Sequence, residues 1–490
     1  MRVAQKAEFT RKIKNIQEKE RLLDTKDNQA GGQETLMLLA ELQEDAIALG
    51  NELEVQGYQD IVGRLEQYCE RLYECSEVLQ DRKTLQGKWR KLHELSGNIA
   101  AEIAVIPAKL KVAFFPYKIS MWDALESIWE AASKDERCEC QLIPIPYYTK
   151  NEAGEVEEEH YEGSKFPSTA LDYKTYLTEQ EKPDIMYIHN PYDQYNKVTM
   201  TDPRFFSGEL KKAGGLLVYV PYYMAGGCIK YESMLASCGN IGAVHSDYII
   251  VQNENLKKAY EYCGFPAHRL LVLGSPKVDA VYKIERKTYD VTEKWKDVIR
   301  NRKVILLNTS ISTCIQKGDW LEHIREFVEP ILQDDRLALI WRPHPLLWDT
   351  VRTMLKEGRQ YGTLLECIAN APNAIIDDSD TAEAAIKISD AMISDYSSLV
   401  MQYTFTGKPV YLLTGKSEAR KYKVFCDYFS NYFREDGCSL QDFLTMILEG
   451  RDTKRDERLR YAKESVANVD GICGESVHRI MYENAMRRIG

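Results

Sequence analysis

The segment Ile393–Leu399 has the sequence Ile-Ser-Asp-Tyr-Ser-Ser-Leu, and its polar residues are arranged as in an anion site. The apolar run Ala391–Ile393 predicts the end of a buried strand. Ser397 and Ser398 predict the cap and first turn of a helix that runs to about Thr406. A strand that leads directly into such a helix presents free backbone N–H groups and the positive end of the helix dipole at the sheet edge. The segment therefore predicts a phosphate-binding site, although an ordinary capped helix has the same pattern.

A second polar segment follows a short apolar run upstream. Leu337–Trp341 has the composition of a strand, and Arg342-Pro343-His344-Pro345 comes directly after it. The prolines stop the strand and keep the segment extended, so Arg342 and His344 lie at its carboxyl end, where open α/β sheets bind ligands. A guanidinium fits phosphate oxygens, and an imidazole donates a proton or a hydrogen bond near neutral pH. We therefore predict that Arg342 binds phosphate and that His344 is catalytic.

Polar residues after two further apolar runs extend this predicted donor site. Val304–Leu307 leads into small polar side chains suited to a phosphate or nucleotide, and Asn373–Ile376 leads into carboxylates placed to bind a base or ribose. Aspartates at such positions also serve as ordinary turn or cap residues. The predicted donor-binding residues are Arg342, Ser394, Asp395, Tyr396, Ser397, Ser398, Thr309, Ser310 and Asp378, with Asp380 as a further candidate.

Together these segments resemble the CDP-glycerol glycerophosphotransferase family, the teichoic-acid-type poly(glycerol phosphate) polymerases and primases of Gram-positive bacteria. The resemblance extends over about 210–480 and rests on short motifs: Gly274-Ser-Pro-Lys-Val-Asp279, Arg342-Pro-His-Pro345, Asp390 with Ile393-Ser-Asp-Tyr-Ser-Ser398, Gly407-Lys-Pro409 and Asp470-Gly471. It implies a GT-B-like pair of Rossmann-like domains with parallel sheets. It also implies transfer of glycerol phosphate from CDP-glycerol to a polyol phosphate acceptor.

The chain departs from this family where the acceptor hydroxyl is activated. The family has a Trp-His-Gly-Thr-like motif after a strand of the N-terminal domain, and its His is the expected base. Here the strand-like run Leu216–Val220 continues into Pro-Tyr-Tyr-Met-Ala-Gly-Gly without a His. His189 and His245 follow neighbouring strands, and His189 is the preferred catalytic candidate. Tyr222 and Tyr223 occupy the vacated place, but an ordinary phenol pKa of about 10 makes a poor base.

A mechanism follows from the charges of these residues. The amides at Ser397 and Ser398, with Arg342 and His344, would hold the pyrophosphate of a CDP-activated donor. An acceptor hydroxyl would attack the β-phosphorus in line and expel CMP, while His344 stabilises the transferring phosphate or the leaving CMP. Phosphoryl transfer is catalysed largely by positioning and charge stabilisation. The expected partners are CDP-glycerol or a related CDP-polyol and a polyol-phosphate or lipid-linked glycan acceptor, with no cofactor and no metal.

The composition excludes several other classes of protein. The chain has 490 residues, of which 44% are hydrophobic and 28% charged, and a formal net charge of −11, which argues against nucleic-acid binding. No stretch approaches the roughly 20 apolar residues of a transmembrane helix, and no signal-peptide apolar block is found at the N-terminus. The 12 cysteines are scattered, which favours reduced thiols and a cytoplasmic location. Walker loops and Gly-x-Ser-x-Gly motifs are absent.

Periodicity divides the chain into a helical part and two blocks of alternating strands and helices. The predicted boundaries are 1–105 for a helical hairpin or bundle, 106–285 for an N-terminal Rossmann-like acceptor domain, 286–450 for a C-terminal Rossmann-like CDP-donor domain, and 451–490 for helices that pack across the domains. Glu157-Glu158-Glu159 is predicted to be a solvated loop.

The N-terminal helices are compatible with two further interactions, homo-oligomerisation and contact with a membrane. Their apolar residues recur three and four apart, so each helix must bury one face against another. A bundle satisfies this requirement, and so does homo-oligomerisation through these helices. The basic cluster Arg11, Lys12 and Lys14 leaves open a peripheral contact with the cytoplasmic face of the membrane, although such runs are usually solvated.

Two other functions remain compatible with the sequence. One is a nucleotide-sugar glycosyltransferase or epimerase of the same fold, which can use a similar pyrophosphate site. The other is a non-catalytic member that binds nucleotide or polymer, because the Trp-His-Gly motif is missing. The retained polar residues of the donor half favour the transferase.

Overall fold

The computed structural model describes residues 1–26, 32–151, 153–224, 238–309, 320–344, 347–351, 357–395, 397–413, 432–433 and 437–489. It forms two compact units. One contains Met1–Lys111, Asp135–Glu139 and Tyr482–Gly490, and the other contains Val112–Lys134 and Cys140–Met481. Among the described residues, no helix combines the length and the apolar character needed to cross a membrane.

Four long helices make up the helical unit: α1 (Val3–Lys26), α2 (Gly32–Val55), α3 (Gln59–Glu77) and α4 (Arg82–Val105). Their apolar stripes form one core, in which Ile16, Leu42, Leu49 and Leu92 are fully buried. The sequence pattern predicted the first three helices. The fourth was not singled out, although Asp81 marks its start by accepting a hydrogen bond from the backbone N–H of Thr84.

A six-stranded parallel sheet follows, in the spatial order β2-β1-β5-β7-β8-β9. Its strands are β1 (Leu110–Phe115), β2 (Cys138–Leu142), β5 (Ile185–Ile188), β7 (Leu216–Tyr219), β8 (Tyr248–Val251) and β9 (Leu270–Val272). The helices and helical turns along the described residues of this part of the chain include Ile119–Ala124, α5 (Glu126–Lys134), Thr178–Glu181, Ser207–Lys212, Ile241–His245 and Glu254–Tyr262. Strands β1, β5 and β7 are almost entirely buried, as expected for a parallel sheet that is covered on both faces.

The second parallel sheet has the order β12-β11-β10-β13-β14-β15. It consists of β10 (Lys303–Thr309), β11 (Leu337–Pro343), β12 (Ala374–Ile376), β13 (Ala391–Ser394), β14 (Val410–Leu412) and β15 (Tyr432–Phe433). Val304 and Leu306 pack in one hydrophobic cluster, whereas Ile305 and Leu307 pack in another. Side chains alternate along a strand, so both faces of this sheet carry a core.

Helices cover both faces of the second sheet. Those that contribute to the Val304 side are Pro276–Ile284, Glu293–Ile299, Glu383–Ile388, Ser398–Thr404 and Arg455–Ser465. Those that contribute to the Ile305 side are Trp320–Leu332, Leu347–Thr350, Gly358–Asn370 and Leu440–Glu449. The last helix of the chain is Cys473–Ile489.

A small antiparallel sheet corrects one prediction. Its strands β3 (Tyr147–Lys150), β4 (Val156–His160) and β6 (Thr199–Thr201) have the order β4-β3-β6. The acidic run Glu157-Glu158-Glu159 lies within β4, so the predicted loop is wrong. The strand is an exposed edge, where charged side chains remain solvated while the backbone pairs on one side.

Two parallel sheets with an N-terminal helical region confirm the predicted fold class. Helices alternate with the strands of each sheet along the chain. Sheets of this kind bind ligands at the carboxyl ends of their strands. The four predicted domain boundaries stay predictions.

Candidate active site

Strands β10, β11 and β13 bring the predicted donor residues together. They are adjacent in the second sheet, and Asn308 pairs in register with Arg342 on one side and with Ser394 on the other. Parallel strands end at the same sheet edge, so the residues that follow them converge. Strand β11 continues through Pro343, two residues beyond the predicted end at Trp341.

The Asn308 side chain fixes the start of the predicted phosphate helix. Its amide nitrogen donates to the hydroxyl of Ser394 at 2.8 Å and to that of Ser397 at 3.0 Å. Ser397 occupies the N-cap position with an extended backbone, but its hydroxyl accepts from Asn308 and makes no capping bond. The helix Ser398–Thr404 begins with the exposed Ser398, as the sequence predicted. Asn308 was not among the predicted site residues.

Arg342 is held by a carboxylate that the sequence did not single out. Its Nη1 donates to Asp377 at 2.7 Å and to the Ser379 hydroxyl at 3.2 Å, and its Nη2 donates to the Ser379 carbonyl at 3.0 Å. The Asp377 side chain is 1% exposed, whereas Asp378 is exposed. These bonds fix the plane of the guanidinium, which lines a cleft.

His344 lies on the same cleft, one residue beyond strand β11. Its backbone N–H donates to the Thr309 carbonyl at 3.2 Å, and its side chain is exposed to the cleft. Loss of solvent around the ring lowers the pKa of His344, and the nearby Lys118 ammonium lowers it further. His344 is therefore neutral at neutral pH, and an incoming phosphate would favour its protonation.

The other predicted donor residues fall into two groups. Thr309, Ser394 and Asp395 are buried: the Trp341 indole donates to the Thr309 hydroxyl at 3.2 Å, and the Ser394 hydroxyl donates to the Asp395 carbonyl at 2.6 Å. Ser310 and Tyr396 lie outside the described residues. The exposed Asp380 pairs with Lys165 at 2.6 Å. The roles of these residues stay predictions.

The cleft is a cavity of about 340 Å³ that connects elements of both parallel sheets. Arg342, His344 and Ser398 line it from the second sheet. Residues of the segment that follows β1, such as Asp123 and Glu126, line it from the first. Tyr222 also borders it, and burial raises the pKa of its phenol to about 12, so Tyr222 is no base at neutral pH.

A buried ion pair joins the two walls of the cleft. The Lys277 ammonium donates to both carboxylate oxygens of Asp123 at 2.6 Å, and the Gln402 amide donates to one of them at 3.0 Å. Lys277 belongs to the motif Gly274-Ser-Pro-Lys-Val-Asp279, which also contains Asp279. The Asp279 carboxylate accepts from the backbone N–H groups of Cys473 and Gly474, at 3.1 and 2.8 Å. This motif therefore fastens separate segments together.

His189, the predicted base, is engaged on both ring nitrogens. Its Nε2 accepts from the backbone N–H of Tyr117 at 3.2 Å, and its Nδ1 lies 3.1 Å from the Met121 carbonyl. The ring is completely buried, and this burial lowers the pKa of His189 to about 3. Neither nitrogen is placed to receive a proton from an acceptor hydroxyl, so we do not propose His189 as the base.

His245, the second histidine considered, takes part in a different network. Its Nδ1 lies 2.8 Å from the Ser207 hydroxyl, which donates to the buried Asp193 carboxylate at 2.6 Å. Ser207 thus lies between the two groups and holds the loop after β5 to the helix Ser207–Lys212. The arrangement is structural.

Comparison with known proteins gives a family match over the region that contains these cleft residues. The family model described as CDP-Glycerol:Poly(glycerophosphate) glycerophosphotransferase matches residues 240–462, a little under half of the chain. This range contains Lys277, Asn308, Arg342, His344 and Ser398. No curated protein matches the chain.

Solved structures share the fold at low sequence identity. A proposed UDP-N-acetylglucosamine 2-epimerase from Listeria monocytogenes is 13% identical with a TM-score of 0.51, covering 78% of this chain and 98% of the epimerase. The Methanocaldococcus jannaschii UDP-GlcNAc 2-epimerase in complex with UDP-GlcNAc and UDP is 15% identical, with a TM-score of 0.50 and coverages of 76% and 100%. The wall teichoic acid polymerase TagF is 13% identical, with a TM-score of 0.46 and coverages of 86% and 99%.

At these identities the structural likeness of the two epimerases concerns the fold alone. The family match covers the strand ends and the helix of the second sheet that line the cleft. Residues 240–462 of the chain are therefore similar to the CDP-Glycerol:Poly(glycerophosphate) glycerophosphotransferase family.

Proposed function

We propose that this transferase moves a polyol phosphate, glycerol phosphate in the first instance, from a CDP-activated donor to a hydroxyl of a cell-wall or capsular polymer precursor and releases CMP. The family match supports the reaction class. The observation that carries the proposal is the anchored Arg342 beside His344 and Ser398 in one cavity.

The donor wall has the chemistry that a pyrophosphate requires. Arg342 supplies a fixed guanidinium, and Ser398 supplies a hydroxyl and a backbone amide at the start of its helix. Burial lowers the pKa of His344, and the nearby Lys118 ammonium lowers it further. A bound dianion favours the charged imidazolium, so phosphate binding and protonation of His344 support each other.

In the proposed reaction the acceptor oxygen attacks the β-phosphorus of the donor, and the bond from that phosphorus to the bridging oxygen breaks. CMP carries the bridging oxygen and its charge away. Arg342 and His344 stabilise the charge on the transferring and leaving phosphates, which is the main contribution that a protein makes to phosphoryl transfer.

The location and assembly belong to the same proposal. We place the reaction in the cytoplasm, where reduced thiols are expected, and the described cysteines form no disulfide with one another. Contact with the inner membrane face and homo-oligomerisation through α1–α4 stay predictions.

The test is CMP release from CDP-glycerol, CDP-ribitol and UDP-sugars with polyol-phosphate acceptors. We expect CMP from the CDP-polyols, and we expect His344→Ala to lower that rate by about 10²–10³-fold, as the loss of one charge-stabilising donor does. His268→Ala, a substitution of an exposed histidine outside the cleft, is the control. Near-normal turnover by His344→Ala would contradict its role. Binding of CDP without any CMP release would indicate the non-catalytic alternative.

A further inference from the structure

The proposed reaction needs a group that takes the proton of the acceptor hydroxyl. The family's histidine is replaced, and both nitrogens of His189 are engaged. Such a base must lie in the same cavity as the transferring phosphate, within hydrogen-bond reach of the hydroxyl. Among the described residues that line the cleft, three carboxylates meet the first condition: Asp123, Glu126 and Glu383.

Two of these carboxylates already have short hydrogen bonds. Both oxygens of Asp123 are 2.6 Å from the Lys277 ammonium, and one also accepts from Gln402. Glu383 accepts from the Tyr289 hydroxyl at 2.9 Å. These two carboxylates are therefore already engaged with neighbouring side chains.

Glu126 differs from both. It is the first residue of α5, and its side chain is 21% exposed, so one edge faces the cavity while the rest is covered. Within the described chain its ion pair is with Lys287 at 3.8 Å, which is longer than a hydrogen bond. Burial raises the pKa of Glu126, and Lys287 and Lys283 offset part of this rise. Its carboxylate is therefore more basic than an exposed one.

Glu126 lines the same cavity as the proposed donor residues, as a base requires. Arg342, His344 and Ser398 come from the second sheet, and Glu126 comes from the segment after β1 of the first. The cavity has a volume of about 340 Å³. A transferring phosphate and an acceptor hydroxyl bound in it would therefore lie near the residues of both walls.

We propose that Glu126 is the general base that deprotonates the acceptor hydroxyl, an inference that rests on the proposed function. The acceptor O–H bond breaks and its proton passes to the Glu126 carboxylate, while the acceptor oxygen forms its bond to the β-phosphorus. The phosphorus–oxygen bond to CMP breaks, and CMP leaves with that electron pair. Glu126 then releases the proton to solvent. Lys287, between Glu126 and Glu383, keeps the carboxylate in place.

The test compares Glu126→Gln with wild-type protein in CMP release over a range of pH. Glutamine preserves the shape but cannot accept the proton, so we expect kcat to fall by about 10²–10⁴-fold, with unchanged affinity for CDP by calorimetry. A base must be deprotonated, so wild-type kcat/KM should decline as pH falls through the raised pKa of Glu126. Glu126→Gln should lack this acid limb, and Glu126→Asp should be slower but retain it.

Glu136→Gln is the control, because Glu136 follows α5, is exposed and does not line the cleft. We expect wild-type rates from it. Wild-type kcat in Glu126→Gln, or an acid limb that persists in that variant, would overturn the inference and leave the proposed function intact. If the wild-type protein released no CMP from any donor, the proposed function and this inference would both be wrong.

Discussion

At the scale of single residues, the proposed binding of phosphate depends on how Arg342 is oriented. Arg342 alone is a flexible cation, and Asp377 converts it into an oriented one through the 2.7 Å bond to Nη1. Asp377 in turn accepts from the Ser379 backbone N–H at 3.0 Å. Orientation is the property that distinguishes a bidentate phosphate ligand from a mobile surface charge, because less side-chain entropy is lost on binding.

Replacing Asp377 should weaken donor binding, although Asp377 itself does not line the cleft. Asp377→Asn removes the negative charge that positions Arg342, so we expect the affinity for CDP to fall by about tenfold, or ~1.4 kcal/mol. Calorimetric titration with CDP measures the effect. Asp378→Asn changes the exposed neighbour and should bind CDP as the wild type does. Equal affinities of the two variants would contradict the anchoring role.

Sequence reasoning named Asp378 as a donor-binding candidate, which stays a prediction, and did not identify the adjacent Asp377, which holds Arg342. Arg342, His344 and Ser398 were predicted because a strand end, two prolines and a helix start are local signals. Asp377 and Asp378 differ only in which face of the chain they occupy, and a shift of one residue reverses that face. The amide of Asn308 likewise acts on residues 86 and 89 positions away, for which no local pattern exists.

At the scale of elements, the helical unit contains a buried polar cluster that its apolar periodicity does not explain. Glu20 of α1 is 1% exposed. It accepts from the Tyr68 hydroxyl of α3 at 2.7 Å and from the Ser96 hydroxyl of α4 at 2.9 Å, and His93 Nδ1 lies 2.7 Å away. Burial and the nearby Glu20 raise the pKa of Tyr68, so the phenol remains a donor. These contacts connect α1, α3 and α4 and fix their positions along one another.

Removing one donor should loosen the bundle. Tyr68→Phe leaves Glu20 short of a partner in the core, and we expect a loss of about 1–3 kcal/mol in the local opening free energy. Hydrogen exchange of the whole chain should then show faster exchange in α1 and α3. The control is Tyr73→Phe, on the same helix but 63% exposed. Exchange rates that match between the two variants would show that the cluster contributes no stability.

Hydrophobic patterning predicted some of the strands and missed others. Parallel strands such as β1 and β10 were predicted because fully buried strands are continuous apolar runs. Strand β4 has none of that signal, since Glu157–Glu159 are exposed and only its pairing with β3 makes it a strand. Edge strands depend on a neighbour and not on their own composition.

Across the whole molecule, segments that are far apart in the sequence contact one another at the cleft. No local sequence pattern predicts these contacts. Asp123 and Lys277 are 154 residues apart, and Gln402 reaches Asp123 across 279 residues. Gly274 explains why the motif begins with glycine: its φ is +94°, and a Cβ there would lie 2.1 Å from the Ala467 carbonyl oxygen. The motif was predicted as part of a family resemblance, whereas its physical role becomes visible only in the folded chain.

The Lys277–Asp123 pair should therefore contribute to stability more than any surface pair. Lys277→Met leaves Asp123 largely buried without its counter-ion, and we expect a loss of about 2 kcal/mol, below the ~3–5 kcal/mol of a fully buried pair because Asp123 is 17% exposed. The double variant with Asp123→Leu should recover part of this loss, since no uncompensated charge remains. Urea unfolding measures both. Lys296→Met breaks the exposed pair with Glu293 and should cost less than about 0.5 kcal/mol. If Lys277→Met and Lys296→Met had the same effect, the ion pair between the walls would be no more important to the fold than a surface charge.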